Sequence, residues 1–159
     1  MGVANILIMR TLGNIIWHFP LFGFVTAFFT FLVGGFFVLT VVGAPIGLGL
    51  IQHAKFLLSP FSNRMISDSK IGKNKSTLWT VMSIIAFIIY FPFGLMVTLV
   101  TVVQIMILFI SIIGIPVAIV LAKSISTYFN PINKICVSVE MAEEIAKREA
   151  VKKVDALTK

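Results

Sequence analysis

The sequence predicts an all-α integral membrane protein: four transmembrane helices as two tandem, parallel-repeat hairpins, with a cytoplasmic loop and a C-terminal amphipathic helix. Three observations lead to this prediction. Of the 159 residues, 58% are apolar and only 12% are charged, about half the charged share of a soluble domain. Two long windows, 11–54 and 76–122, contain no Asp, Glu, Lys or Arg. One eight-residue pattern occurs twice, 71 residues apart.

Each charge-free window is long enough for two spans of about 20 residues joined by a tight turn. The predicted spans lie near 11–31, 34–54, 77–99 and 103–122. Gly34-Gly35 is the expected first turn, and Thr101–Gln104 is the expected second. The chain then divides into a first hairpin repeat (1–65), a cytoplasmic linker (66–76), a second hairpin repeat (77–135) and a cytoplasmic tail (136–159).

The basic residues predict the orientation, because loops rich in Lys and Arg stay in the cytoplasm. The middle loop, 55–75, has a net charge of +4, whereas the two expected hairpin tips are uncharged. Both termini and the middle loop are therefore expected in the cytoplasm. The residues that carry this prediction are Arg10, Lys55, Arg64, Lys70, Lys73, Lys75 and Lys123. An alternative is that one or both hairpins dip into the bilayer and return without crossing it.

The repeated pattern is TVVGAPIG at 40–47 and SIIGIPVA at 111–118. Its prolines fall inside the expected spans, where a proline frees the carbonyl four residues earlier and kinks a helix. Its small residues, four apart, allow close approach of helix backbones. Packing is the favoured role of the pattern, and a polar path through the membrane is the alternative. The candidate residues are Thr40, Gly43, Pro45, Gly47, Ser111, Gly114, Pro116 and Ala118.

A second repeated pair has the same offset. Ser59-Pro60 and Asn130-Pro131 combine a good N-cap residue with a proline suited to the first helical position. Each pair is expected to end a membrane span and to begin a cytoplasmic or interfacial helix.

These motifs resemble a known family. VVGAPIG followed by SPFSNRM, and SIIGIPVA followed by NPINKICVSVE, are similar to the YccF domain family of bacterial inner-membrane proteins. The resemblance extends over roughly residues 10–140. It implies a small, multi-pass protein of the bacterial cytoplasmic membrane, and it supplies no catalytic residues.

Several functional classes are disfavoured by the residues themselves. His18, His53 and Cys136 are too few and too dispersed for a metal site of three or four ligands. The charge-free windows lack the carboxylates that cation carriers use, so any path would suit a small anion or neutral solute. No base lies near a nucleophile, and no cofactor is expected. The net charge of +7 is explained by topology instead of nucleic-acid binding.

The tail, 136–159, has apolar residues at helical intervals and equal numbers of acidic and basic residues. It is expected to be a helix that lies on the membrane face or on another subunit. The favoured function is accordingly a membrane structural or interaction protein that self-associates and has no enzymatic activity. The alternative is a homo-oligomeric channel or transporter. A membrane enzyme ranks last.

Overall fold

The computed structural model describes residues 3–72 and 75–157, and it is predominantly helical. Six helices and two short strands follow one another in the described ranges. They are α1 (Val3–His18), α2 (Gly23–Leu39), α3 (Ala44–Leu58), β1 (Asn63–Ser67), α4 (Thr77–Ile110), α5 (Ile115–Phe129), β2 (Lys134–Ser138) and α6 (Val139–Leu157). Short 3-10 turns follow β1 and precede α5. The prediction of a mainly helical protein is confirmed, with a two-stranded sheet in addition.

Within residues 3–72 and 75–157, two segments are long and apolar enough to cross a membrane, Thr77–Ile110 and Ile112–Phe129. A third candidate arises if α1 and α2, which meet at a 75° bend, count as one broken span. The break contains Pro20 and the left-handed residue Phe22. α3 has only 15 residues and is about 22 Å long, shorter than the roughly 30 Å hydrocarbon core of a bilayer.

Both hairpin turns lie further along the chain than the sequence suggested. Gly34-Gly35 lies inside α2, and the first turn is at 40–43. Gly34 is needed there for close packing, since its position faces the backbone of Gly47 on α3. The expected turn at Thr101–Gln104 is wrong in the same way, because α4 continues to Ile110. The Thr101 hydroxyl donates to the Val97 carbonyl, so its hydrogen bond is made within the helix.

The two halves of the chain meet in an antiparallel pair of strands. Met65 of β1 lies opposite Cys136 of β2 at the centre of the register. The pairing is extended at both ends, because Asp68 N–H donates to the Asn133 carbonyl and Val139 N–H donates to the Ser62 carbonyl. The strands therefore join residues that are far apart in sequence.

α3 and α5 both pack on this sheet, and they run in opposite directions. Gly49 lies against Pro131, the His53 ring lies 5.1 Å from the Tyr128 ring, and Pro60 accepts a hydrogen bond from Lys123. As residue numbers rise along α3, those of its partners fall. The physical reason is the antiparallel strand pairing, which reverses the direction of the helix attached to each strand. The two hairpin turns therefore lie at opposite ends of the α3–α5 pair. The predicted parallel repeat would have placed the two turns side by side.

Corresponding elements of the two halves have equal spacing. α3 begins at Ala44 and α5 at Ile115, and each helix has 15 residues. β1 begins at Asn63 and β2 at Lys134, and each strand has five. All these bounds differ by 71 positions. The buried core has two parts, one around Phe56 and Val120 and one around Ile46 and Tyr90.

Candidate functional site

The first G-x-P motif forms the turn between α2 and α3. Thr40 caps α2, and its hydroxyl donates to the Phe37 carbonyl at 2.7 Å and accepts from Gly43 N–H at 3.2 Å. Gly43 caps α3, and Pro45 lies in its first turn. A proline costs no hydrogen bond at that position, because the first helical N–H groups have no partner within the helix. The motif therefore begins a helix, where the sequence suggested a kink within one.

The second motif has the same role between α4 and α5. Ser111 caps α4, and its carbonyl accepts from Gly114 N–H at 2.9 Å. Gly114 caps α5, and Pro116 lies in the first turn. A Cβ atom at Gly114 would come within 2.5 Å of the Leu108 carbonyl oxygen, so only glycine fits this turn.

The small residues of both motifs are used inside the chain. A Cβ atom on Gly47 would come within 2.5 Å of the Gly34 carbonyl oxygen, because α2 and α3 approach closely there. Ala118 on α5 is fully buried. Gly43 and Gly114 are buried as well. These faces pack the hairpins themselves and are not open to a second subunit.

The Ser-Pro and Asn-Pro pairs end helices but do not begin new ones. Ser59 is the C-cap of α3 and Asn130 is the C-cap of α5, and a strand follows each pair. The proline of each pair is buried against the opposite half of the chain. Pro131 lies against Gly49, and the Pro60 carbonyl accepts from Lys123 Nζ at 2.8 Å. The expected N-caps are therefore corners between a helix and the strand that follows it, and each corner packs against the other half of the chain. The strands begin just beyond these corners, at Asn63 and Lys134.

We call the assembly of β1, β2, α3 and α5 the platform. Cys136 lies at its centre and donates its backbone N–H to Gln52 Oε1 at 3.2 Å. Burial raises the pKa of the Cys136 thiol to about 11, although nearby Lys55 lowers it. The thiol is therefore neutral at physiological pH. The sequence analysis did not predict a role for Gln52. The feature that could have pointed to it is a polar side chain next to His53 in an apolar helix.

The two histidines are packed separately. The Nε2 atom of His18 lies 2.7 Å from the Leu58 carbonyl oxygen. His53 is buried, stacks on Phe56 and meets the edge of Tyr128. Neither ring nitrogen of His53 has a hydrogen-bond partner in the described ranges. Within residues 3–72 and 75–157, no group of three His, Cys, Asp or Glu side chains is placed to hold a metal ion.

The basic residues of the topology prediction lie on the platform or beside it. Arg10 pairs with Glu140, Lys70 with Glu149 at 2.9 Å, and Lys75 with Asp68 at 2.8 Å. Lys55 and Arg64 are exposed. Lys73 lies outside the described residues.

Lys123 lies in the middle of α5, where its ammonium is 5.2 Å from the centre of the Phe61 ring. Because it also donates to Pro60, this lysine joins the second hairpin to the corner of the first. It is thus part of the platform as well as a basic residue of the topology prediction.

α6 forms the amphipathic helix expected of the tail, beginning at Val139 after the strand ends. Glu140 ties its first turn to α1 and Glu149 ties its middle to the turn after β1. Val139 and Ala142 are buried, whereas Val151, Val154 and Leu157 are exposed. The helix therefore rests on the platform through its first half.

Part of the chain matches a known protein family. Residues 12–63 match the family model of YccF, described as the inner membrane component domain. This segment runs from α1 through the first hairpin to the start of β1. The match confirms the expected resemblance over these residues and, with the apolar helices, identifies a membrane protein. No curated protein and no solved structure matches the chain.

Proposed function

We propose that this chain, whose residues 12–63 match the YccF domain, is a structural and interaction protein of the bacterial cytoplasmic membrane. In this proposal it has no enzymatic activity and is embedded from the cytoplasmic face. Its halves are two copies of one unit, as the common 71-residue spacing of the element bounds supports. The basic residues around the platform support a cytoplasmic location for that surface.

The observation that carries the proposal is the position of charged groups at both ends of the strand pair. Asp68 and Lys75 lie beside one end, and the Arg10–Glu140 pair lies beside the other. Charged side chains avoid the hydrocarbon core, so both ends of the sheet should face the same aqueous surface. In this proposal the sheet lies along the membrane surface, with α3 and α5 packed on its other side.

The first hairpin supports the same arrangement. Pro45, two residues beyond the turn, lines one cleft together with Asp68 and Lys75. A turn on the far side of the bilayer would be roughly 30 Å from these charges. The geometry of the first hairpin therefore favours a hairpin that enters the bilayer and returns over two complete crossings, and the proposal extends this topology to the second hairpin as its repeat.

Thiol labelling tests this topology. We expect that Val42→Cys and Ile112→Cys, each made in a Cys136→Ser background, resist a membrane-impermeant thiol reagent on intact cells. These positions lie at the two turns and are 52% and 86% exposed. Labelling of both cysteines after solubilisation in detergent shows that the thiols are reactive. Labelling of either cysteine from outside the cell would contradict the proposal for that hairpin.

Self-association is the second part of the proposal. Because the small-residue faces are buried within the chain, the proposed interface lies elsewhere. α4 has a row of exposed apolar residues, among them Leu78, Ile88 and Ile89, which are 63–71% exposed. Lipid or a second copy of the chain must cover them. We propose that a second copy covers part of this face of α4.

Crosslinking tests this interface. In the Cys136→Ser background, Ile88→Cys should form a crosslinked dimer in native membranes with a short bis-thiol reagent. Ala86→Cys, on the same helix but only 1% exposed, is the matched control and should stay monomeric. If neither variant is crosslinked while the reagent modifies Ile88→Cys, self-association through this face is wrong.

The channel alternative has less support. The hydroxyl of Thr40 closes a turn, and those of Thr98 and Thr101 donate to carbonyls of their own helix. Hydroxyls whose protons are donated in this way cannot donate to a small anion, so they do not line a path for one.

A further inference from the structure

A polar cleft of about 430 Å³ lies where α3, β2 and the start of α4 meet. Gln52, Asp68, Lys75, Trp79 and Lys134 are among the side chains that line it. The Trp79 ring N–H donates to Asn133 Oδ1 at 3.1 Å, which holds the indole at the rim. Immediately along α4, Leu78 and Val81 are exposed apolar residues. The cleft thus lies at the border between the charged surface and the apolar surface.

The charges in and around the cleft do not balance. Lys75 is paired with Asp68, and neighbouring Lys70 is paired with Glu149. Among the residues that the structure describes, no carboxylate lies within 4.0 Å of Lys134. Burial, together with the nearby Lys70 ammonium, lowers the pKa of Lys134. An anion in the cleft would supply the missing partner of this half-buried lysine.

A second cleft, of about 340 Å³, continues from the first and shares Lys75 and Asn133 with it. Its apolar lining residues are Ile84, Phe87 and Ile132. Ser83 also lines this cleft, is 7% exposed, and its hydroxyl has no hydrogen-bond partner among the described residues. A cleft with two lysines and one aspartate that continues into a groove with a larger apolar share matches a molecule with an anionic head and a hydrocarbon tail.

We propose that these joined clefts bind an anionic phospholipid of the cytoplasmic leaflet. The phosphate lies between Lys134 and Lys75, and Trp79 packs beside the headgroup. One acyl chain follows α4 past Ile84 and Phe87, along the cleft that Ser83 also lines. The inference rests on the membrane location in the proposed function, and it does not depend on self-association.

Asp68 allows a test in which lipid binding is expected to become tighter, beside the test in which it becomes weaker. Its carboxylate competes with a phosphate for Lys75, because the two groups would share one ammonium. Lys134→Gln should weaken binding, whereas Asp68→Asn should strengthen it by freeing Lys75. A lysine near an anionic lipid surface is worth a factor of about five in affinity. A purely structural role for Asp68 would not produce tighter binding.

Native mass spectrometry of the full chain in detergent, with added phosphatidylglycerol or phosphatidylcholine of identical acyl chains, measures this affinity. We expect wild type to retain phosphatidylglycerol about fivefold more than phosphatidylcholine, and Lys134→Gln to lose the preference. Lys152→Gln, which removes the same charge from the exposed half of α6, is the matched control and should keep the preference.

Three outcomes would overturn the proposal. The first is a wild type without preference for phosphatidylglycerol. The second is an equal loss of preference in Lys134→Gln and Lys152→Gln, which would indicate a general charge effect. The third is complete displacement of the lipid by millimolar inorganic phosphate, which would assign the site to a free anion. Failure of the thiol-labelling or crosslinking tests would leave these results unchanged, so the two proposals can fail separately.

Discussion

Gly49→Ala is expected to separate α3 from the corner that follows α5, and so to disrupt the platform. A Cβ atom at Gly49 would overlap the carbonyl oxygen of Pro131. Pro131 is buried, and the obstacle is backbone, so no side-chain rotation relieves the overlap. Displacing the corner would also strain the entry into β2. We expect a loss of roughly 3 kcal/mol or more in the free energy of unfolding, within the range of severe core substitutions.

The measurement is unfolding by SDS in mixed micelles, followed by far-ultraviolet circular dichroism. Gly35→Ala is the matched control, because it makes the same chemical change in an apolar helix and meets no atom within 4 Å. Alanine is the better helix former by about 1 kcal/mol, so the control should be neutral or more stable. Equal midpoints for the two variants would refute the close contact between Gly49 and Pro131.

Trp17→Ala is expected to cost about 3–5 kcal/mol, the usual range for truncation of a large buried aromatic residue. Trp17 is 5% exposed, and its ring N–H donates to the Leu57 carbonyl at 2.7 Å. The ring also lies against Gly23, so close that a Cβ atom at that position would overlap the indole. It therefore joins α1, the start of α2 and the end of α3.

Trp17→Phe separates packing from hydrogen bonding, since it keeps an aromatic ring and loses the N–H group. We expect it to recover more than half of the stability lost in Trp17→Ala, as measured by the same SDS titration. Trp79→Ala, at the rim of the polar cleft, should be less costly than Trp17→Ala. If Trp79→Ala proves the more destabilising of the two, Trp17 does not hold the bend between α1 and α2.

The sequence identified the helical class and the spacing of the repeated motifs, but it misplaced the turns. Charge-free windows mark the ends of an apolar region and carry no information about its interior. Gly34-Gly35 resembles a turn by residue type, whereas its function depends on a backbone 13 residues away at Gly47. Pro45 and Pro116 look the same in sequence whether they kink a helix or begin one. Only the tertiary neighbours distinguish these cases.

The strands were missed for a related reason. NRMIS and KICVS are each five residues long, too short for a confident period-2 pattern. In the part of the chain that the structure describes, each strand pairs with a strand from the other half. The opposite direction of α5 relative to α3 follows from that antiparallel pairing. Because the strands were not predicted, the relative direction of the two hairpins was predicted wrongly. The polar cleft was equally hidden, because its residues come from four separate stretches of the chain.

The strand pair also has a consequence for biosynthesis. β1 leaves the ribosome well before its partner, because β2 begins 71 residues later. At about 5–20 residues per second, the delay is roughly 4–14 seconds. During that interval the first half has an open strand edge, a template for pairing with another chain. Translation speed between residues 68 and 133 therefore controls how long a nascent chain could pair with a neighbour before its own second half arrives.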